Sequence, residues 1–229
     1  MTRTVAGLVP FTSIDYPSYL AAVIFFQGCP LRCPFCHNPN LQPAQGENLT
    51  PWVEVMTFLK GRVKRLDGVV FSGGEPLMQT EIAAMIQEVK ALGFKVAIHT
   101  SGVYVDTLRD LLPLLDWVGL DIKAPWAKYE TLTGRKGVAE KVQKSLRYLI
   151  ESGVKFECRT TCDPLHLTPD EVIQIAKELK QAGVATYALQ KYRSFPEDKH
   201  PPSVTEIEAF FTHEVLRQIT SFYPEVILR

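Results

Sequence analysis

Short apolar runs alternate with amphipathic stretches along the chain. The first run, Ala22–Gln27, is built from Ala, Val, Ile and Phe and has the unbroken hydrophobicity of a strand buried on both faces. Runs of the same style recur at Gly68–Ser72, Lys95–Thr100, Trp117–Asp121, Lys155–Thr161 and Thr186–Gln190. Helical patterns separate them. Across Glu81–Leu92, residues Ile82, Met85, Ile86 and Val89 fall on one face, and Gly93 supplies a stop. Thr168-Pro169-Asp170-Glu171 and Ser203-Val204-Thr205-Glu206 each place a hydroxyl three residues ahead of a glutamate, the pattern of a capping box. Thr50-Pro51 offers a cap with proline at the first helical position.

Six strands alternating with helices imply a parallel sheet, because parallel neighbours need a crossover and a right-handed helix normally provides it. Six units are too few for a full eight-fold barrel, so periodicity leaves a partial, open (β/α)6 barrel and a flat doubly wound sheet as alternatives. No internal repeat or linker divides the chain, which predicts a single domain over 1–229 with a core of about 20–192. The stretch Arg193–Ser203, with three prolines, reads as a loop before the last helix.

In either architecture the functional groups gather at the carboxyl ends of the strands. Those ends read Gln27-Gly28-Cys29, Ser72-Gly73-Gly74-Glu75-Pro76, His99-Thr100-Ser101-Gly102, Asp121-Ile122-Lys123, Arg159-Thr160-Thr161 and Gln190-Lys191-Tyr192. All six are polar or glycine-rich, which packing alone does not require.

Composition narrows the field. The 229 residues are 46% hydrophobic and 22% charged with a formal net charge of zero, so neither nucleic acid nor an anionic membrane is indicated as a partner. No stretch approaches the roughly 18 apolar residues of a membrane span, and no secretory leader is visible, which predicts a cytoplasmic protein. Five cysteines in such a chain do not make a disulfide framework; a tight cluster in a reducing compartment points to metal binding or catalysis.

Cys29-Pro30-Leu31-Arg32-Cys33-Pro34-Phe35-Cys36 brings three thiols into one loop. Thiolate suits zinc or an iron–sulfur cluster. A structural zinc site closes with four ligands, for which His37 is the adjacent candidate, whereas a cubane held by three thiolates keeps one iron open. Cys158 and Cys162 sit on a predicted strand and read as small buried hydrophobes.

The Cys-x3-Cys-x2-Cys spacing, with Phe35 before the third cysteine, resembles the signature of the radical S-adenosylmethionine superfamily. The longer string Phe25–Pro39 resembles the branch that activates glycyl radical enzymes. Gly7-Leu8-Val9-Pro10-Phe11-Thr12 with Asp15-Tyr16-Pro17 is similar to activating proteins of anaerobic ribonucleoside-triphosphate reductases. The resemblance implies a partial (β/α)6 barrel with parallel strands and a [4Fe–4S] cluster on Cys29, Cys33 and Cys36, which are thereby the catalytic and metal residues. It also implies S-adenosylmethionine at the open iron, a reduced flavodoxin or ferredoxin as electron donor, and a glycyl radical enzyme as partner; a radical enzyme acting on a small metabolite and a non-enzymatic metal or electron-transfer module are the alternative readings.

By the same resemblance Gly73, Gly74, Glu75 and Pro76 form a glycine-rich motif whose bare backbone approaches the methionine amino group. Thr100, Ser101, Asp121 and Lys123 match contacts to the ribose and the methionine carboxylate. Arg159 is a second contact to the carboxylate or sulfonium side, with a structural ion pair as its alternative reading. Phe35 packs on the adenine, and His37 and Asn38 shape the cluster loop. His99 reads as a packed strand histidine rather than a catalytic base. One departure is Ser18, which stands where many such sequences place glycine after Asp-Tyr-Pro.

Overall fold

The computed structural model describes residues 3–194 and 200–229. Ten strands run β1 (Thr4–Val5), β2 (Gly7–Thr12), β3 (Ala21–Phe26), β4 (Thr50–Pro51), β5 (Gly68–Gly73), β6 (Lys95–Thr100), β7 (Trp117–Asp121), β8 (Lys155–Cys162), β9 (Tyr187–Lys191) and β10 (Ile227–Leu228). Eight helices accompany them: α1 (Trp52–Lys60), α2 (Ile82–Ala91), α3 (Val105–Leu111), α4 (Tyr129–Thr133), α5 (Val138–Ser152), α6 (Pro169–Gln181), α7 (Val204–Glu208) and α8 (His213–Thr220). The main sheet has the order β10-β9-β8-β7-β6-β5-β3-β2. The six strands from β3 to β9 are parallel, as their alternation with helices predicts.

Two edge strands extend that expectation. β2 joins antiparallel to β3, with an irregular register between Val9 and Thr12, and β10 joins parallel to β9. Pro10 argues against a central strand, but an edge strand tolerates it because its N–H side has no partner to serve. The sheet therefore reaches beyond 20–192, and the segment after 193 carries two helices and a strand rather than one helix. Residues 195–199 of the Arg193–Ser203 loop lie outside the described residues.

Strand residues alternate between two faces with period two. Ala22, Ile24, Phe26, Val69, Phe71, Val96, Ile98, Val118, Leu120, Cys158 and Cys162 pack in the main core with Val89, Leu108, Leu146, Ile175 and Leu179 of the helices. The other face carries a small separate cluster of Tyr16, Ala21, Val23, Val70, Ala97 and Trp117. Full burial of each large aliphatic or aromatic side chain in the main core contributes about 1.5–3 kcal/mol.

The sheet curls. One cavity of about 270 Å³ is lined by Phe25 of β3, Ser72 and Gly73 of β5, His99 and Thr100 of β6, Asp121 of β7, Arg159 and Thr161 of β8 and Gln190 of β9. Six flat strands would span roughly 24 Å at about 4.8 Å each, too far for so small a space to touch them all. β2 and β10 are the unjoined edges, so the barrel is partial and open between them.

Both expected capping boxes form, Thr168 with Glu171 and Ser203 with Glu206. Thr50 does not cap α1. It pairs with Val5 in a two-stranded ladder, and the N-cap position falls to Pro51. The Trp52 N–H donates to the Arg3 carbonyl, so the ladder takes over the role of the cap.

Candidate functional site

The loop after β3 alternates inward and outward like the strand before it. Leu31, Cys33 and Phe35 are buried, Arg32 and Pro34 are exposed, and Cys29 and Cys36 are partly exposed. The loop is bound to the second strand end by its backbone: Gly74 N–H donates to the Phe26 carbonyl at 2.9 Å and Glu75 N–H to the Gly28 carbonyl at 2.8 Å. This pairing explains both glycines. A Cβ on Gly73, where φ is +119°, would lie 2.2 Å from Phe26 N, and one on Gly74 would lie 2.3 Å from the Gly28 carbonyl oxygen. Their bare backbone is needed first by the chain's own close approach.

All three cysteines of the loop line the cavity with Phe35, His37 and Asn38. Among the described residues, no three Cys, His, Asp or Glu side chains converge closely enough to hold a single metal ion. The three thiols share one wall of the cavity, and thiolate sulfur is the donor that suits an iron–sulfur cluster. Burial pushes the Cys29 thiol up to about 11 and raises Cys33 as well, so uptake of a metal group releases their protons.

Glu75 and Pro76 do not line the cavity. Glu75 is fully buried and its carboxylate is occupied within the protein. It accepts from Leu77 N at 3.1 Å, Thr100 Oγ1 at 2.7 Å, Ser101 N at 2.9 Å and Ser101 Oγ at 2.5 Å. Burial raises its pKa while these four donors oppose the rise. Thr100 and Ser101 do line the cavity, yet both hydroxyl protons are given to Glu75. A ligand there meets hydroxyl lone pairs and backbone, and the motif glutamate acts by organising the third strand end.

The fourth and fifth strand ends carry the charge. Asp121 Oδ1 accepts from Arg159 Nε at 3.0 Å and Nη2 at 2.7 Å, and Asp121 Oδ2 lies 3.5 Å from Lys123 Nζ. Burial works against ionisation of Asp121, but Arg159 and Lys123 prevail and hold its carboxyl down at about 2. Burial likewise pulls the Lys123 pKa down, and Asp121 with the thiols more than reverses this. Lys123 Nζ also sits 5.9 Å over the Phe35 ring. Arg159 thus makes the ion pair that was its alternative reading, while still lining the cavity. Gly119 makes room for it, since a Cβ there would lie 2.8 Å from Arg159 Cζ.

Of two supports behind these groups, Tyr129 escapes a reading of the sequence and His99 does not. The Tyr129 hydroxyl, fully buried on α4, accepts from Lys123 N and donates to the Asp121 carbonyl, locking the bend between them. His99 is the packed, hydrogen-bonded strand histidine that its position predicts: its Nε2 is 2.8 Å from the Asp15 carbonyl and therefore carries the proton. Burial, then Arg159, lowers its pKa to about 3, so it is neutral. The period-two pattern of β6 turns His99 to the inner face, where it lines the cavity.

A second cavity of about 590 Å³ adjoins the first and shares Asp15, His37, Arg159, Thr161 and Gln190 with it. Its outer wall is Ile14 and Pro17, after β2, and Leu228 and Arg229, at β10. The site is thus reached sideways, through the unjoined edges of the sheet.

Against known proteins, the profile of the radical SAM superfamily matches residues 23–179. A Methanocaldococcus jannaschii protein assigned as a glycyl-radical enzyme activating enzyme is 31% identical over 209 residues, covering 87% of this chain and 83% of that protein. The pyruvate formate-lyase-activating enzyme of Clostridium pasteurianum is 37% identical over 128 residues, covering 53% of each. The fold also matches Streptococcus suis SuiB bound to S-adenosylmethionine, with a TM-score of 0.69, 16% identity and 90% of this chain covered; the chain spans 51% of SuiB.

Proposed function

The chain belongs to the radical S-adenosylmethionine superfamily, and from that premise we propose that it activates a glycyl radical enzyme, with an anaerobic ribonucleotide reductase as the partner. Membership makes it an enzyme whose cofactors are a [4Fe–4S] cluster and S-adenosylmethionine. When bound and reduced, these would supply one-electron radical chemistry able to remove a hydrogen atom from a glycine Cα of the partner.

Cys29, Cys33 and Cys36 would hold three irons and leave the fourth to the cofactor. Lys123 offers its ammonium to the methionine carboxylate. Asp121 keeps Oδ2 for ribose hydroxyls, since Oδ1 is taken by Arg159. Gly73, Gly74, Thr100 and Ser101 present backbone and lone pairs, and Phe35 an aromatic face. Glu75 and Pro76 act from behind this layer. A reduced flavodoxin or ferredoxin supplies the electron, and the setting is an anaerobic cytoplasm in which the free thiols stay reduced. No helix among the described residues is long and apolar enough to cross a membrane.

The observation that carries the proposal is the lateral cavity between β2 and β10, which leads from the surface to Arg159, Thr161 and Gln190. It gives an extended segment of another protein a path to the site. The test is to reduce the holoenzyme with dithionite, add S-adenosylmethionine and the reductase, and record electron paramagnetic resonance. A glycyl doublet on the reductase is expected. 5′-Deoxyadenosine without a glycyl signal would overturn the partner assignment.

A further inference from the structure

The cysteine loop has an outer face that the site does not use. Cys29, Leu31, Cys33 and Phe35 turn to the cavity, whereas Arg32 turns to solvent. The Arg32 guanidinium lies along the loop, donating from Nη1 to the Cys29 carbonyl at 2.7 Å and the Leu31 carbonyl at 2.8 Å. A second loop, between α4 and α5, is joined to this one: Arg32 N–H donates to the Thr133 carbonyl at 3.1 Å, and Gly134 packs beside the Arg32 Cβ. That loop carries Arg135 and Lys136, both exposed. The acidic groups nearby on these elements are Glu130, whose carboxylate accepts from Gly137 N, and Glu140 in the first turn of α5.

We infer that Arg32, Arg135 and Lys136 form the docking surface for an acidic one-electron carrier protein. The inference rests on the reading that the three thiols hold a redox-active cluster. Electron transfer weakens steeply with distance, so a carrier must sit against the thin wall of the loop, and the substrate path occupies the other side. Three cations on that outer face give an acidic carrier long-range steering and a fixed orientation. With flavodoxin as carrier, its anionic hydroquinone becomes the neutral semiquinone, giving up one electron and no proton to the protein's iron–sulfur group.

The test uses reduced flavodoxin as the probe and the double variant Arg135→Glu/Lys136→Glu. Neither residue lies in the cavity, so dithionite-driven 5′-deoxyadenosine formation should stay unchanged. Calorimetric binding of flavodoxin to the variant should weaken at least tenfold, and flavodoxin-driven cluster reduction, followed by loss of visible absorbance, should slow by a similar factor. Wild-type binding should also weaken between low and high salt. Lys60→Glu/Arg65→Glu, the same charge change at the opposite end of the strands, should leave binding intact. Equal binding by wild type and the first variant, equal losses in both variants, or no binding by wild type would each overturn the inference. Because binding is read without catalysis, failure of the glycyl assay alone would count against the activation reading and not this one.

Discussion

Arg159 places two of its donors, Nε at 3.0 Å and Nη2 at 2.7 Å, on the same oxygen of Asp121. The other oxygen is left facing Lys123 at 3.5 Å. A carboxylate held in this way cannot rotate without giving up one bond of the pair, so the second oxygen has one direction. Arg159→Ala should therefore weaken S-adenosylmethionine binding on the order of tenfold, or about 1.4 kcal/mol, with the visible iron–sulfur spectrum kept. Gly119→Ala should act in the same sense, because its Cβ would push the guanidinium from 2.8 Å away. Calorimetric titration at pH 7 reads this in full. Asp121 titrates at about 2 in the fold, so its contribution is complete above the ordinary carboxylate range and fades only as pH falls toward 2.

Glu75→Gln keeps the shape and replaces one acceptor oxygen by a donor. Four donors converge on the carboxylate, so an amide group must face at least one of them without an acceptor. A loss of about 1–3 kcal/mol in chemical denaturation is expected, with weaker cofactor binding from the disturbed Thr100–Ser101 turn. Unchanged stability would contradict the organising role.

Gly73→Ala and Gly93→Ala form a controlled pair. Both glycines have positive φ, but a Cβ at Gly93 meets nothing within 4 Å while one at Gly73 runs into Phe26 backbone. Gly93→Ala should cost about 1 kcal/mol from strain alone, and Gly73→Ala about 2–5 kcal/mol together with lower iron content. Denaturation midpoints and iron analysis check both.

His99→Gln tests acid sensitivity. The folded imidazole stays neutral down to about pH 3, while the unfolded one takes up a proton near 6.5. The unfolded chain thus binds more protons between these values, and stability rises with pH across that window. Acidification from pH 6.5 to 5 should remove up to about 2 kcal/mol from wild type through this residue. The glutamine variant can still donate to the Asp15 carbonyl and should lose less over the same range in guanidinium titrations.

Cys33→Ala should abolish both the visible iron–sulfur absorbance and cleavage of S-adenosylmethionine. A four-iron cluster retained by that variant, seen by iron analysis and Mössbauer spectroscopy, would reject the ligand assignment.

Much of this was legible along the chain. The six parallel strands follow from apolar runs long enough to be buried on both faces, and the capping boxes from pairs three residues apart, because these are local forces between near neighbours. The clustering of cysteines and the polar strand ends likewise need no fold to be seen. The period-two rule even separates Arg159 and Thr161, which face the cavity, from Cys158 and Cys162, which face the helices. β10 and the Thr50 ladder were hidden because each is two residues long and held by a strand distant in sequence, and β2 because Pro10 interrupts it and three of its six residues are exposed.

The sequence by itself determined which chemistry is present: three thiols in one loop, two glycines, a carboxylate, and the cations Lys123 and Arg159. Only the tertiary structure decided how each is spent. Glu75 turns away from the cavity to bind Thr100 and Ser101, 25 and 26 residues on, and Arg159 turns to Asp121 on the neighbouring strand. Those choices depend on which buried polar groups meet across the sheet, where an unpaired group is costly, and no local pattern records such a meeting.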